Sequence, residues 1–294
     1  MPSRLALLTL LAATALAGCS VLSSDPAPTV TVEARTTVTA TATPEAEPEP
    51  EPAEPAVTSE YARPLWLGQI ALEVDEDGYG MRLPTPQELL DRQLEPRPWL
   101  PDPDTDEFRA SIRDVPDDVL ARSSWEPGCP AGPDDLSYIQ MTFWGFDQQP
   151  HTGELLIHRD RAEEVVGIFE TIYDARFPIE EMRVISRAER DAPPTGDQNI
   201  TSGYTCREVV GAPGVWSEHA KGLAIDINPF HNPYYKEDLT YPELAEAYKD
   251  RENERVGMIY DPSVVHDAFT DLGWTWGGDW TGREDWMHFS AEGG

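Results

Sequence analysis

The sequence is poor in positive charge, and this scarcity excludes one large class of protein. Only 22 of its 294 residues are Lys or Arg, against 54 Asp or Glu, which gives a formal net charge of -32. Binding of nucleic acid requires a basic surface that neutralises phosphates, so we expect no nucleic-acid partner. The acidic excess is itself typical of a well-solvated surface.

The sequence also lacks an apolar run suited to a membrane span at its N-terminus. The run from Leu5 to Leu16 is shorter than the roughly 20 residues that a spanning helix needs. Arg4 precedes the run and small residues follow it, which is the pattern of a secretory signal. Leu16-Ala17-Gly18-Cys19 resembles the bacterial lipobox, in which the cysteine is acylated. We therefore predict a lipoprotein signal peptide over 1–19 and lipidation of Cys19; an ordinary signal peptide with an unrelated cysteine is the alternative.

This signal implies an exported protein, held by its lipid on the extracytoplasmic face of a bacterial membrane and facing the cell wall. Residues 20–60 are rich in Pro, Thr and Glu and show no apolar periodicity, so we expect a disordered tether. Prolines interrupt the apolar residues of 61–117, where we expect an irregular extension packed on the main domain. Within it, Thr85 is predicted to cap a short helix that begins at Pro86. The main domain is assigned to 118–294.

Apolar patterning in the main domain predicts a mixture of strands and helices. A helix is expected to open at Asp160, with Glu163 as its capping partner and Pro178 as its end. A second helix is expected over 262–272, ended by Gly273. The predicted strands cover 138–144, 154–158, 182–185 and 223–227. Because strands and helices do not alternate regularly, we predict an α+β fold with a central antiparallel sheet and flanking helices.

Cysteine is scarce, with three residues in the chain. Once Cys19 is set aside for the lipid, Cys129 and Cys206 remain as a pair in an exported protein, and a disulfide is the expected outcome. A thiolate metal site is the alternative, but the pair has no Cys-x-x-Cys spacing to favour it.

Two hydrolase signatures are missing. No serine is followed by lysine at the third position, as the penicillin-sensitive carboxypeptidases require. No histidine is followed by glutamate, so the His-Glu-x-x-His zinc motif is absent as well.

Histidine and aspartate instead come together in two separate stretches. His219 and Asp226 lie seven positions apart around Gly222, and Asp285 lies three residues before His288. Two histidines and one aspartate are a suitable ligand set for catalytic zinc, with water at the fourth position. The remaining carboxylate, Asp285, could then act on that water as a general base.

These stretches resemble the VanY-type family of D-alanyl-D-alanine carboxypeptidases and peptidoglycan endopeptidases. The motifs are Ser-x-His-x-x-Gly-x-Ala-x-Asp at 217–226, Trp-Gly-Gly-x-Trp at 276–280 and Asp-x-x-His-Phe at 285–289. An upstream stretch from Asp197 to Arg207 is similar to one branch of the family. The resemblance covers about residues 118–292 and implies a fold related to lysostaphin and the hedgehog N-domain.

The resemblance also implies roles for single residues. His219, Asp226 and His288 would bind Zn²⁺, Asp285 would be the base, and Arg207 would polarise the scissile carbonyl. Many members have Glu where this chain has Asp285. The substrate would be a peptidoglycan stem peptide, and the expected cleavage site is its terminal D-alanyl-D-alanine bond. An endopeptidase of L-Ala-D-Glu type and an inactive wall-binding lipoprotein are the alternatives, and a monomer is expected.

Two further residues are candidate substrate contacts. Ser217 could touch substrate or could cap the segment that holds His219. Trp276, with Trp274 and Trp280, could line the cleft or pack in the core. The sequence leaves both pairs of alternatives open.

Overall fold

The computed structural model describes residues 59, 61–75, 79–209 and 212–293. The predicted signal peptide, the lipidation site Cys19 and the tether, apart from residue 59, lie outside these residues. In the part of the chain that is described, no helix has the length and apolar character needed to cross a membrane.

Helices and strands are mixed along the chain. The helices of the described ranges are α1 (Asp117–Arg122), α2 (Ala162–Asp174), α3 (Arg187–Arg190) and α4 (Val264–Thr270). The strands are β1 (Ala110–Asp114), β2 (Leu136–Trp144), β3 (Pro150–His158), β4 (Glu181–Met182), β5 (Ile200–Thr201), β6 (Ala224–Asp226), β7 (Tyr234–Lys236), β8 (Leu239–Tyr241), β9 (Thr275–Trp276), β10 (Glu284–Asp285) and β11 (His288–Ser290).

The longest strands form the antiparallel sheet β1-β2-β3. Strands β2 and β3 pair along their whole length, from Leu136 opposite His158 to Trp144 opposite Pro150. Both begin earlier than the predicted strands 138–144 and 154–158. Strand β1 lies inside the 61–117 segment, which was expected to be irregular, yet it pairs with β2 in full register.

Helix α2 confirms the predicted apolar face but not the predicted start. Val165, Ile168, Phe169 and Ile172 are almost fully buried. Residues 159–161 form a separate 3-10 turn, and Arg161 before the helix makes no side-chain cap, so the predicted capping pair of Asp160 and Glu163 is wrong. The helix ends at Asp174, ahead of Pro178, where Arg176 adopts a φ of 54°.

The remaining strands form three small sheets. Two are antiparallel, β6-β11-β9 and β10-β7-β8, and the third is the parallel pair β4-β5. The α+β class is therefore confirmed, with several small sheets that are mostly antiparallel. The predicted strands 182–185 and 223–227 shrink to β4 and β6, and the predicted helix 262–272 shrinks to α4.

The main apolar core lies behind β6 and β11. It joins side chains of β2, β3, α2 and α4 to Ile225 and Phe289, both with no exposed surface. Ile225 and Phe289 are directly opposite each other in the β6-β11 pair. One face of this strand pair is therefore anchored in the core, which leaves the other face free to present polar groups.

Polar groups fix the N-terminal part of the described chain on the rest of the domain. Arg92 binds the buried Glu180 through two donors, at 2.7 and 2.8 Å. Thr85 does not cap the short turn 87–89; its hydroxyl donates to the Leu244 carbonyl at 2.6 Å and accepts from the Ala247 amide at 2.9 Å. The prediction for Thr85 is therefore wrong, because a partner 159 residues away takes its hydroxyl.

The cysteine prediction is confirmed. Cys129 and Cys206 form a disulfide with their Cα atoms 5.8 Å apart, across 77 residues of chain. That separation lies within the usual range for a disulfide.

Candidate metal centre

The strand pair β6-β11 brings two of the predicted ligands together. Asp226 on β6 is directly opposite His288 on β11. Side chains at directly opposed positions of an antiparallel pair lie on the same face of the sheet. Because Ile225 and Phe289 occupy the core face, Asp226 and His288 project on the opposite face, where they meet.

A capped turn supplies the third predicted ligand. His219 lies in the 3-10 turn Glu218–Lys221, whose start is capped by the Ser217 hydroxyl through the His219 amide at 3.3 Å. Gly222 ends the turn with a φ of 71°. A Cβ at this glycine would lie 2.6 Å from the His158 amide nitrogen, so the sharp return between His219 and Asp226 requires glycine.

The orientation of the His219 ring is set by a backbone carbonyl. Its Nδ1 lies 2.7 Å from the Gly203 carbonyl oxygen, which can only accept, so Nδ1 carries the proton. The lone pair of Nε2 then points toward Asp226 and His288. A carbonyl on the far nitrogen is the usual way in which a protein fixes a metal-binding imidazole.

The three donor groups converge at distances that fit a tetrahedral ion. His219 Nε2 is 3.2 Å from His288 Nδ1 and 3.2 Å from an Asp226 oxygen, and His288 Nδ1 is 3.1 Å from the other Asp226 oxygen. Donors about 2.1 Å from a tetrahedral metal ion lie roughly 3.4 Å apart. Two imidazoles and a carboxylate also suit zinc chemically, so these residues fit the ion that the sequence predicts.

The electrostatics of Asp226 favour its charged form. Burial alone would raise the pKa of this carboxyl group, but the charges and hydrogen bonds of His219 and His288 outweigh burial and hold the pKa far below its usual range. Asp226 is therefore a carboxylate across the physiological pH range, as a metal ligand must be.

Asp285 has the opposite character. It lies on β10, and a Cβ at Gly277 would come within 2.6 Å of its carbonyl oxygen, so this part of the Trp-Gly-Gly-x-Trp motif gives β10 room to approach. Burial and the charge of Asp226 raise the pKa of Asp285 to about 7, although His288, Arg207 and Arg283 act against the rise. Its Oδ1 is buried and has no hydrogen-bond partner among the described residues.

Arg207 lies on the rim of the same centre. Its charge lowers the pKa of Asp285 and that of Tyr241, which places the guanidinium within electrostatic reach of both groups. Its Nη1 donates to the Glu208 carbonyl at 3.4 Å, a weak contact that leaves most of the fork open. The geometry thus brings all five predicted residues to one place.

The comparison with known families identifies one segment of the chain. Residues 210–291 match the family model described as D-alanyl-D-alanine carboxypeptidase. The chain carries a carboxypeptidase-family segment. This match confirms the family that the motifs indicated and supports a peptidase. No curated protein and no solved structure matches the chain significantly.

The carboxypeptidase-family segment contains His219, Asp226, Asp285 and His288, but it begins after Arg207. The role of Arg207 therefore rests on the upstream motif and on its position in the structure. Cys129 and Cys206 also precede the segment, so the disulfide lies outside the matched part of the chain.

Both candidate substrate contacts, Trp276 and Ser217, have structural roles in the fold. Trp276 is 6% exposed, and its indole nitrogen donates to the Trp286 carbonyl at 2.9 Å, so it packs in the core of the segment. Trp280 is the tryptophan beside the site, with its ring centre 5.5 Å from that of His288. Ser217 is buried and acts as a turn cap. These contacts explain Trp276 and Ser217 without substrate.

Sequence reasoning missed two tyrosines of the site. In the sheet β10-β7-β8, Asp285 lies opposite Tyr234, and Tyr234 lies opposite Tyr241, so the three side chains share one face. Burial raises the pKa of Tyr241 to about 12, and its hydroxyl donates to Gln198 Oε1 at 3.1 Å. No motif marks either tyrosine, because only the pairing of three short strands brings them beside Asp285.

Proposed function

We propose that the protein is a zinc-dependent peptidase that hydrolyses the stem peptides of peptidoglycan. One observation carries the proposal: three donor atoms of two imidazoles and a carboxylate converge, and a second carboxylate beside them has an unpartnered oxygen. The match to the carboxypeptidase family supports the reaction class. The terminal D-alanyl-D-alanine bond is the proposed site of cleavage, and an internal L-Ala-D-Glu bond is the second candidate.

The roles of the residues follow from their surroundings. His219, Asp226 and His288 would hold the ion. When bound, zinc would supply a Lewis acid that lowers the pKa of a water molecule. Asp285 takes the proton from the attacking water through its unpartnered oxygen and delivers it to the leaving amine.

Arg207 acts on the substrate carbonyl. Negative charge develops on the carbonyl oxygen as water attacks, and a fixed guanidinium that faces this oxygen stabilises the transition state. Trp280, beside His288, limits the access of bulk water on one side of the site. The Gly203 carbonyl holds the His219 ring in one orientation while these steps take place.

The proposed setting follows from the N-terminal sequence. Acylation of Cys19 would anchor the protein on the extracytoplasmic face of a bacterial membrane, and the Pro-rich tether would let the domain reach the cell wall. Stem peptides of the wall and the membrane lipid would then be its partners, and the domain would act as a monomer without nucleic acid.

Digestion of purified muropeptides by the zinc-loaded protein, read by mass spectrometry, tests the proposal. Loss of a single alanine identifies the carboxypeptidase, and release of a larger peptide identifies the endopeptidase. Zinc-loaded protein that binds muropeptides without cutting them would instead be a wall-binding protein, and the peptidase proposal would be wrong.

Asp285→Asn supplies the control for chemistry. It should lower kcat by about 100- to 10,000-fold while zinc content stays at one per chain. Glu284→Gln is the matched substitution, because Glu284 is the neighbouring β10 residue and alternates to the other face of the sheet. It should cleave at the rate of the unmodified protein. Normal turnover in Asp285→Asn would remove Asp285 from the mechanism.

A further inference from the structure

The segment that leads into Arg207 is held along both of its edges. The Tyr204 amide donates to the Leu156 carbonyl at 2.8 Å, and the Thr205 amide donates to the His219 carbonyl at 3.2 Å. After Arg207, its own carbonyl accepts from the Ser217 amide at 3.2 Å. The candidate catalytic arginine is thus fastened to the turn that carries His219.

Cys206, immediately before Arg207, is held at three points. Its side chain forms the disulfide with Cys129. Its amide donates to the Ser124 hydroxyl at 3.0 Å, and its carbonyl accepts from Arg190 Nη1 at 2.8 Å. A charged donor makes the last of these the strongest of the hydrogen bonds at this residue.

The carbonyl contact matters because of the geometry of the peptide bond. The carbonyl of Cys206 and the amide nitrogen of Arg207 belong to one planar unit, so fixing the carbonyl fixes the plane that precedes the Arg207 Cα. The bond from Ser217 to the Arg207 carbonyl fixes the plane that follows it. With both planes fixed, the direction of the Arg207 side chain from the backbone is set.

Arg190 is itself held in place. It ends α3, whose first turn is closed by a reciprocal pair of bonds between Ser186 and Glu189. The Arg190 guanidinium binds both oxygens of Asp191, at 2.7 and 3.0 Å, and Nη1 also binds Glu126 at 2.9 Å. Two carboxylates therefore aim the donor that reaches the Cys206 carbonyl.

We propose that Arg190 is a positioning residue for Arg207, and that it acts through the Cys206 carbonyl with the disulfide as a second restraint on the same residue. The effect on turnover rests on the proposed function, whereas the restraint on the backbone does not. Loss of the Arg190 contact lets the Cys206–Arg207 peptide plane rotate, which moves the guanidinium relative to Asp285 without disturbing the zinc ligands.

Arg187 provides a matched control on the same helix. Its Nη2 donates to the Trp125 carbonyl at 2.8 Å and its Nε lies 3.8 Å from Glu126, so it binds the same loop that Arg190 binds. No contact between Arg187 and the 204–207 segment is present among the described residues. Arg190→Gln and Arg187→Gln therefore remove the same charge from one helix, but only the first releases Cys206.

Hydrogen exchange tests the restraint without relying on activity. In Arg190→Gln, the amides of Cys206 and Ser217 should exchange about tenfold faster than in Arg187→Gln, because a charged hydrogen bond has been lost. Arg190→Lys keeps the charge and should restore part of the protection. Equal exchange in the two glutamine variants would overturn the proposal, whatever the enzyme cleaves.

Kinetics test the consequence for Arg207. Arg190→Gln should lower kcat on the cleaved stem peptide by about tenfold with zinc content unchanged, since small displacements of a catalytic group are costly. In an Arg207→Ala background the same substitution should have no further effect on kcat, because the group that it positions is gone. An undiminished effect in that background would show that Arg190 acts on general stability, and the proposal would be wrong. If the unmodified protein cleaves no stem peptide, the proposed function fails and the exchange experiment still decides the role of Arg190.

Discussion

Two carboxylates of this molecule have pKa values shifted in opposite directions. Glu180, under the N-terminal part of the described chain, is held by Arg92, Arg63 and Asn199, and burial is outweighed so that its pKa falls to about 2. Asp285, beside His288, has a buried oxygen with no partner in the described residues, and its pKa rises to about 7. Both oxygens of Glu180 have hydrogen-bond partners within the protein, whereas one oxygen of Asp285 has none among the described residues.

The difference in hydrogen bonding indicates a stabilising role for Glu180 and a catalytic role for Asp285. A buried carboxylate whose oxygens are matched by arginines has no capacity left for substrate, and its removal costs stability. A carboxylate with an unpartnered oxygen beside a candidate metal centre can accept a proton there and pass it on. We therefore expect substitutions near Asp285 to remove activity while the fold persists. Substitutions near Glu180 should lower stability while the folded protein keeps its activity.

The largest effect is expected from His219→Ala. This change removes one of three converging donors, so the protein should lose its zinc and all measurable hydrolysis. His266 is the matched control, since it is a mostly buried histidine on α4 that binds Asp267 at 2.8 Å and lies outside the donor group. His266→Ala should retain one zinc per chain by elemental analysis.

Circular dichroism completes that experiment. Both alanine variants should keep the spectrum of the unmodified protein, because the loss in His219→Ala is local to the site. Stoichiometric zinc in His219→Ala would show that His219 is not a ligand, and the assignment of the whole donor group would need to change.

Arg92→Met should lower stability without affecting the metal centre. Removing one partner of a buried ion pair leaves Glu180 incompletely neutralised and should lower the free energy of unfolding by about 3–5 kcal/mol. Zinc content and kcat of the folded protein should stay unchanged. Arg97 is a suitable control, because its pair with Glu181, at 3.4 Å, involves a side chain that is 43% exposed. Arg97→Met should cost no more than about 1 kcal/mol.

Urea unfolding of the two variants measures this contrast. If Arg92→Met is as stable as Arg97→Met, the buried pair contributes nothing beyond a surface pair. If it instead lowers kcat in the folded protein, the N-terminal part of the chain takes part in the chemistry and the separation drawn above is wrong.

The two regions also differ in how far the sequence could predict them. Asp226 and His288 were predictable because each lies in a short motif, and an antiparallel pairing then suffices to bring them together. The pair of Glu180 and Arg92 was not predictable, because the two residues are 88 positions apart and charged residues are usually exposed. Burial of an ion pair leaves no local pattern in the sequence.

Errors within the site have a similar origin. Trp276 and Trp280 belong to one motif, and only the fold shows that the first packs in the core while the second lies beside His288. The α+β class followed from the mixture of elements. The division into small sheets did not, because strands such as β9 and β10 are two residues long and carry no periodicity of their own.

A smaller effect should follow from pH, again in the Glu180 region. Burial lowers the pKa of His231 from 6.5 to about 4, and its Nε2 bonds to the Arg92 carbonyl at 2.8 Å. Between pH 6.5 and pH 4, His231 is protonated in the unfolded chain but neutral in the folded protein. The free energy of unfolding must therefore fall as pH falls through this range. From pH 7 to pH 4.5 the loss from this group should be about 2–3 kcal/mol.

Urea unfolding at several pH values measures this slope. His231→Gln should flatten the decline between pH 6.5 and 4.5, although the variant is less stable at pH 7. His158→Gln, at a partly exposed histidine, should leave the decline as it is. A decline that is equally steep in His231→Gln would assign the pH dependence to other groups.

The smallest effect is expected from the loss of a single hydroxyl, that of Thr85, which joins the N-terminal part of the described chain to the rest of the domain. Thr85→Val removes one bond to the Leu244 carbonyl and one from the Ala247 amide while it preserves the shape of the side chain. Because both partners are then left without their protein partner, stability should fall by about 1–2 kcal/mol in urea. Thr171→Val is the control, since the exposed Thr171 hydroxyl only returns to the Gly167 carbonyl within α2, at 3.1 Å. Equal stabilities of Thr85→Val and Thr171→Val would mean that water replaces the Thr85 bonds without cost.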